Sequence, residues 1–257
     1  MTNVIILAAG SGSRLKPLTN TKPKCLVKFL DKPLISYQID NFKKSKIKNV
    51  HVILGYKAKT VKIKNITISV NKNYKTTNMT HTLYTAKKYI DFKKDLLISY
   101  GDIIYSNEVL KKILKSKSNI SVVVDKNFLE YWKVRMSNPL NDLESLIIDK
   151  KGFIKEIGNK TKDYNKINGQ YIGLIKIKKH ILRKFFNYYH SLYTKKKKKI
   201  SNIHMTTFLN LMIQDNWKIK SVPIKNGWLE FDTLEDFNAY NKLHRDKLLS
   251  KFIKNID

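Results

Sequence analysis

Cysteine is almost missing from this chain. Cys25 is the single one among 257 residues, which excludes an internal disulfide and any cysteine-rich zinc module. Glycine (9) and proline (5) are scarce too, and no Pro/Gly/Ser-rich stretch marks a linker. No apolar run approaches the roughly 20 residues that a membrane span requires, so no membrane partner is expected. The opening MTNVIILAAGSGSR has no basic n-region, so the expectation is a cytoplasmic protein without a signal peptide. Arginine is the scarce cation, 4 residues against 47 lysines, while Asp and Glu together number 20.

The resulting formal charge of +31 invites a nucleic-acid reading. Recognition of that kind leans on the rigid bidentate fork of arginine, which is the residue in short supply. Lysine, asparagine (24) and isoleucine (31) are abundant and have AT-rich codons; alanine (5), glycine, proline and arginine have mostly GC-rich ones. Base composition thus accounts for the lysine surplus, and no nucleic-acid partner is expected. At 42% hydrophobic and 28% charged, the chain is globular in composition and long enough to bury a substantial core.

Apolar runs of strand length recur at Val4–Leu7, Val50–Leu54, Ile66–Val70, Leu96–Ser99 and Ile120–Val124. Helical patterns lie between several of them, at Leu34–Lys43, Thr80–Ile90 and Asn107–Leu114. Strands alternating with helices predict an α/β fold, a wound and mostly parallel sheet with helices on both faces. Later, Leu146–Ile148 and Phe153–Ile157 flank Asp149-Lys-Lys-Gly152, a hairpin signature that predicts a small β-rich cap. Tyr171–Ile177 reads as a strand, with helices near His180–Tyr193 and Met205–Gln214. The five-lysine run Lys195–Lys199 reads as a solvated loop. One domain over residues 1–257 is expected: a nucleotide-binding part at about 1–125, an acceptor-binding cap at about 126–232, and a C-terminal helix at about 233–254.

The strongest chemical signal is LAAGSGSRLKPLTNTKPKCL, residues 7–26, directly after the first strand. Gly10 and Gly12 let the backbone turn and expose N–H groups that can cradle phosphate oxygens. A P-loop would end in Gly-Lys-Ser/Thr, but Ser13-Arg14 follows Gly12. A dinucleotide fingerprint would place a third glycine at position 15, which is Leu15. What remains is Ala-Ala-Gly-x-Gly-x-Arg with Pro23-Lys24 downstream. A structural turn would explain the glycines but neither Arg14 nor Lys24.

This segment resembles the signature of nucleotidyltransferases that activate phosphorylated small molecules with a nucleoside triphosphate, enzymes of Rossmann-like fold. The resemblance implies that Leu7, Ala8, Ala9, Gly10, Ser11, Gly12 and Ser13 hold the nucleotide. Arg14 would meet the β- and γ-phosphates and Lys24 the α-phosphate. It also implies Mg²⁺, held by carboxylates at strand ends. Asp102, after Tyr100-Gly101, matches the family's Gly-Asp position, and Tyr100 and Gly101 join the nucleotide site. Asp232 in GWLEFDTLEDF is the second candidate, with Glu230 beside it; the Asp-Thr-x-x-Asp pattern alone equally fits a helix N-cap. Asp125, Asp142 and Glu144 match less well. An acceptor phosphate is already largely dianionic at neutral pH and needs no strong base, in keeping with the lack of a Ser-His-Asp or Cys-His set. Cys25 reads as packed.

Segments 75–87, 96–103, 122–146, 154–160, 169–177 and 227–233 together resemble bacterial CTP-dependent cytidylyltransferases of the phosphocholine and phosphoglutamine type. That implies CTP and a small phosphorylated acceptor as partners. Trp132, Trp228, Tyr131 and Tyr171, with Glu230, Asp142 and Glu144 near in sequence, would suit an amine-bearing acceptor through an aromatic cage. The same aromatics equally fit a core. Asn78 either reads the base or ribose or N-caps a helix near Thr80. A sugar-1-phosphate acceptor is the rival, since Glu156 and Lys160 resemble a hexose-gripping pair. Phosphocholine, phosphoglutamine and 2-aminoethylphosphonate fit equally well, and oligomeric state is not legible. A basic nucleic-acid-binding protein is the alternative of another class.

Overall fold

The computed structural model describes residues 2–64, 66–254 and 256. The first apolar run forms β1 (Thr2–Ala8); a short ladder, β2 (Lys28–Phe29) with β3 (Lys32–Pro33), leads into α1 (Leu34–Lys44). Strands β4 (Asn49–Leu54) and β5 (Thr67–Val70) precede α2 (Met79–Thr85); β6 (Asp95–Tyr100) and β7 (Ile103–Tyr105) precede α3 (Asn107–Lys115). Then follow β8 (Ile120–Asp125), α4 (Phe128–Arg135), the hairpin of β9 (Glu144–Ile148) and β10 (Ile154–Lys160), and β11 (Gln170–Ile177). Helices α5 (Lys179–Lys195), α6 (Lys197–Ser201) and α7 (Met205–Gln214), strands β12 (Ile219–Ile224) and β13 (Trp228–Glu230), and helix α8 (Leu234–Arg245) complete the order.

Seven strands form the central sheet in the order β12-β8-β11-β6-β1-β4-β5. Every pairing in it is parallel except those of β11, which runs antiparallel to both β6 and β8. Alternation along β1 explains why helices cover both faces: Val4 and Ile6 enter one buried cluster, Ile5 and Leu7 the other. The first cluster takes in α1, α3 and α4, the second α5 and α7. The edge strand β12 carries Pro223, which a central strand would not tolerate. These features match the expected wound sheet, and the predicted hairpin closes at Gly152, whose φ is 76°.

Two local expectations need correction. The lysine run is not a loop: Lys195 ends α5, and Lys197–Lys199 lie in α6, with only Lys196 leaving helical geometry (φ −143°, ψ 59°). Lysine is a good helix former whose charge reaches water from a helix surface, and buried Ile200 draws α6 onto the core. The helix expected over Thr80–Ile90 is α-helical only to Thr85 and then tightens into a 3-10 turn, Ala86–Tyr89. Among the described residues no helix is long and apolar enough to cross a membrane.

Candidate active site

After β1 the chain extends the sheet on one side, through β4 and β5, and then crosses to place β6 on the other. The carboxyl ends of β1 and β6 therefore flank a topological switch point, where open α/β sheets bind ligands. The glycine loop leaves β1 there, and Gly101-Asp102 leaves β6 beside it. Gly101 donates its N–H to Leu7 O at 2.9 Å, and a Cβ on it would sit 2.6 Å from Ala8 Cβ. Only glycine permits that approach. Gly12 adopts a left-handed φ of 62° and packs against the stem of Lys24, while Thr19 Oγ1 donates to its carbonyl at 2.9 Å. The loop and the Pro-Lys segment are thus clasped together. Gly10, Ser11, Ser13 and Arg14 are exposed at the mouth, and Ala8 and Gly12 are half-buried. Leu7 and Ala9 are buried, with carbonyls taken by Gly101 and Tyr56 N–H groups, so the part of the loop open to a ligand is its Gly10–Ser13 stretch.

A second ladder brings the distant carboxylate home. Strand β13 pairs antiparallel with β7, Glu230 opposite Ile103, and Phe231 N–H donates to Asp102 O at 3.0 Å. Asp232 thereby faces Asp102 across Lys24, whose Nζ donates to Asp102 Oδ2 at 2.9 Å and to Asp232 Oδ1 at 3.0 Å. Arg14 Nη2 closes the row at 2.5 Å from Asp232 Oδ2. Burial alone would lower the Lys24 pKa; the carboxylates of Asp102 and Asp232 outweigh it and push the ammonium well above its ordinary value. For Asp232 burial would raise the pKa, and Lys24 and Arg14 hold it below the usual range instead. All four residues proposed for catalysis from the sequence form one contiguous ionic array.

The remaining candidates divide. Tyr100 and Tyr171 meet edge to face at 5.7 Å beside this array. Trp228 and Trp132 are not a ligand cage. Trp228 is 2% exposed and its indole donates to Asp125 Oδ2 at 2.8 Å; Trp132 is 4% exposed and donates to Asp142 Oδ2 at 2.9 Å. With Tyr131 they pack ring against ring, because burying their large apolar faces in the core gains more than exposing them. Glu230 does not join Asp102 and Asp232 as a metal ligand: its Oε2 is bound by Arg135 Nη1 at 2.9 Å. Among the described residues no group of three or more His, Cys, Asp or Glu is placed to hold a metal. Burial and the nearby Asp102 and Asp232 charges raise the Glu230 carboxyl to about 7 against the pull of Arg135. Asn78 is the N-cap of α2, its Oδ1 accepting from Met79 N–H at 2.7 Å and its amide turned to Asn202 O and His204. Cys25 is buried, and burial pushes its thiol up to about 12, an unreactive state.

Asp232 lies just outside a capping box in which Thr233 caps α8 and Asp236 reaches back. The two readings of the Asp-Thr-x-x-Asp pattern are therefore both realised, by different residues. Sequence reasoning missed Arg135 and Asp236. The available signal was Arg135 itself, one of four arginines, three and four residues after Trp132 and Tyr131 on one helix face.

Residues 3–130 match the family model described as nucleotidyl transferase. The CTP:phosphoglutamine cytidylyltransferase of Campylobacter jejuni is 38% identical over 249 residues, which cover 92% of this chain and 98% of that one. The chain belongs to the nucleotidyl transferase family. This nucleotidyl transferase is also 31% identical over 250 residues to a bifunctional sugar-1-phosphate nucleotidylyltransferase/acetyltransferase of Sulfurisphaera tokodaii, covering 95% of the present chain and 56% of that longer one. Its fold is shared with the solved CTP:phosphocholine cytidylyltransferase of Streptococcus pneumoniae, at a TM-score of 0.71 and 20% identity over 96% of this chain and 99% of that one.

Proposed function

We propose that this nucleotidyl transferase moves CMP from CTP to the phosphate of a small amine-bearing acceptor of the phosphoglutamine or phosphocholine type. The observation that carries the chemistry is the Arg14–Asp232–Lys24–Asp102 array beneath an open glycine loop. The choice of CTP and acceptor rests on the Campylobacter relative, whose name states both. An acceptor phosphate oxygen attacks the α-phosphorus, the bond from that phosphorus to the bridging β-oxygen breaks, and pyrophosphate leaves with the electron pair. The acceptor dianion brings its own lone pair, so no side chain has to remove a proton. On this reading Lys24 meets the charge that builds on the α-phosphate and Arg14 the departing pyrophosphate, which their neighbouring ion pairs with Asp102 and Asp232 support. Residues of about 1–125 would serve the nucleotide and those of about 126–232 the acceptor, with Tyr171 the surviving aromatic candidate there.

The residues fit a divalent cation. Asp102 and Asp232 offer hard oxygens, and Asp102 Oδ1 is buried without a hydrogen-bond partner among the described residues. Two carboxylates, completed by water and phosphate oxygens, would suit Mg²⁺. Asp102 and Asp232 would hold the ion, which would neutralise triphosphate charge and help keep it in line.

Pyrophosphate release from each of four nucleoside triphosphates, against phosphocholine, phosphoglutamine, 2-aminoethylphosphonate and hexose 1-phosphates, tests the proposal. Turnover of CTP with a phospho-amine is expected. Turnover confined to another nucleotide with a hexose 1-phosphate would establish the sugar-nucleotide reading, which the Sulfurisphaera relative supports. Tight, steeply salt-dependent RNA binding with no pyrophosphate release would overturn both.

A further inference from the structure

Arg135 is the last residue of α4 and has a side chain only 2% exposed, yet it touches no part of the glycine loop. Its guanidinium divides between two acids on the segment that carries Asp232. Nε donates to Asp236 Oδ1 at 2.9 Å, and Nη1 donates to Glu230 Oε2 at 2.9 Å. The other oxygen of Asp236 accepts the backbone N–H groups of Asp232 at 3.0 Å and Thr233 at 2.9 Å. Behind this, Tyr131 Oη accepts from Glu230 N–H at 2.7 Å, and Tyr240 Oη donates to Glu230 O at 2.9 Å. Residues 230, 232 and 233 are therefore held by their backbones from one buried centre, and the guanidinium lies over the rings of Tyr131 and Trp132.

From these contacts we infer that Arg135 is a positioning residue, which fixes the Asp232 carboxylate through Asp236 and keeps Glu230 turned away from the Asp102–Asp232 pair. The inference rests on the reading of Asp232 as a site carboxylate. A lysine could supply the charge, but only the planar fork of arginine can meet two acids in fixed directions. In a chain with 47 lysines and four arginines, the fork is present at the one buried cation that contacts both acids.

The test compares Arg135→Lys, Asp236→Asn and, as the control for the site, Asp232→Asn. Each is assayed for kcat, KM for CTP, thermal midpoint, and Mn²⁺ affinity by electron paramagnetic resonance on enzyme without substrates. Arg135→Lys is expected to fold, to lose roughly 10- to 100-fold in kcat with KM for CTP little changed, and to bind Mn²⁺ more weakly. A purely structural role would lower the thermal midpoint and leave kcat and Mn²⁺ affinity of the folded fraction within about twofold, and that result would overturn the inference. Should Arg135→Lys fail to fold, Asp236→Asn decides by the same criteria. If Asp232→Asn itself keeps full activity and Mn²⁺ affinity, the reading of the site falls. If only that control loses them, the site stands and the positioning role falls.

Discussion

Two cations in this protein each join a pair of carboxylates, one on either side of the same short segment, residues 230–236. Lys24 bridges Asp102 and Asp232 with side chains that are 14%, 23% and 19% exposed. Arg135 bridges Glu230 and Asp236; its own side chain and that of Asp236 are each 2% exposed, and that of Glu230 is 26% exposed. Lysine is a point charge on a flexible stem, so on the proposed function the first cluster would open when a triphosphate and a divalent ion compete for its members. The guanidinium is a buried rigid fork with each nitrogen bound to an acid, so the second cannot rearrange without leaving the buried Arg135 and Asp236 charges unpaired. The two clusters thus share one motif of charge and differ in the kind of cation and in how deeply it is buried.

The sharpest way to break that contrast is to remove each cation's charge. Arg135→Met strands Asp236 in the interior and leaves the partly exposed Glu230 unpaired, and should cost about 3–5 kcal/mol of stability, seen by denaturant unfolding. Lys24→Met should leave the fold nearly as stable and lower kcat/KM by about 10²–10³, measured as pyrophosphate release. With its internal competitor gone, the same variant should bind Mn²⁺ about tenfold tighter in the absence of nucleotide. If Lys24→Met instead unfolds the protein while Arg135→Met is tolerated, the assignment of working and supporting roles is reversed.

A third cation–carboxylate cluster, at the amino end of the central strand β6, supplies the smallest effect. Asp95 accepts from Lys178 Nζ at 3.0 Å and from Lys179 N–H at 3.0 Å. Burial would raise its carboxyl, but these donors hold it below the ordinary value. Its contribution is therefore present above the unfolded pKa of about 4 and is lost as pH falls through the lower folded value. Asp95→Asn should cost about 0.5–1 kcal/mol at pH 7 and nothing by about pH 2, with kcat unchanged. A cost that persists at pH 2 would show that packing, not charge, is what Asp95 supplies.

Much of the fold was legible. The alternation of apolar runs along β1, β4, β6 and β8 reports burial on both faces, which in a chain of alternating strands and helices means a wound parallel sheet. Gly10, Gly12, Arg14 and Lys24 were legible as candidates because the motif is local: its whole spacing lies within residues 7–26. The aromatic side was not. Trp132 and Trp228 look alike in sequence whether they face a ligand or each other, and only the positions of Asp142 and Asp125 show their indoles committed to the interior.

What the sequence determined by itself is therefore the local chemistry: a glycine turn that exposes backbone N–H groups, two cations at set spacing from it, and acids at strand ends. The tertiary structure decided which acid meets which cation. Asp102, Asp232, Glu230 and Asp236 are all carboxylates near strand or helix ends, and nothing in their neighbours along the chain separates them. The pairing of β13 with β7 brings Asp232 to Lys24, and α4 delivers Arg135 to Glu230 and Asp236. A carboxylate's role depends on which cation it meets and how much water remains, and both are set by contacts between residues as many as 208 positions apart.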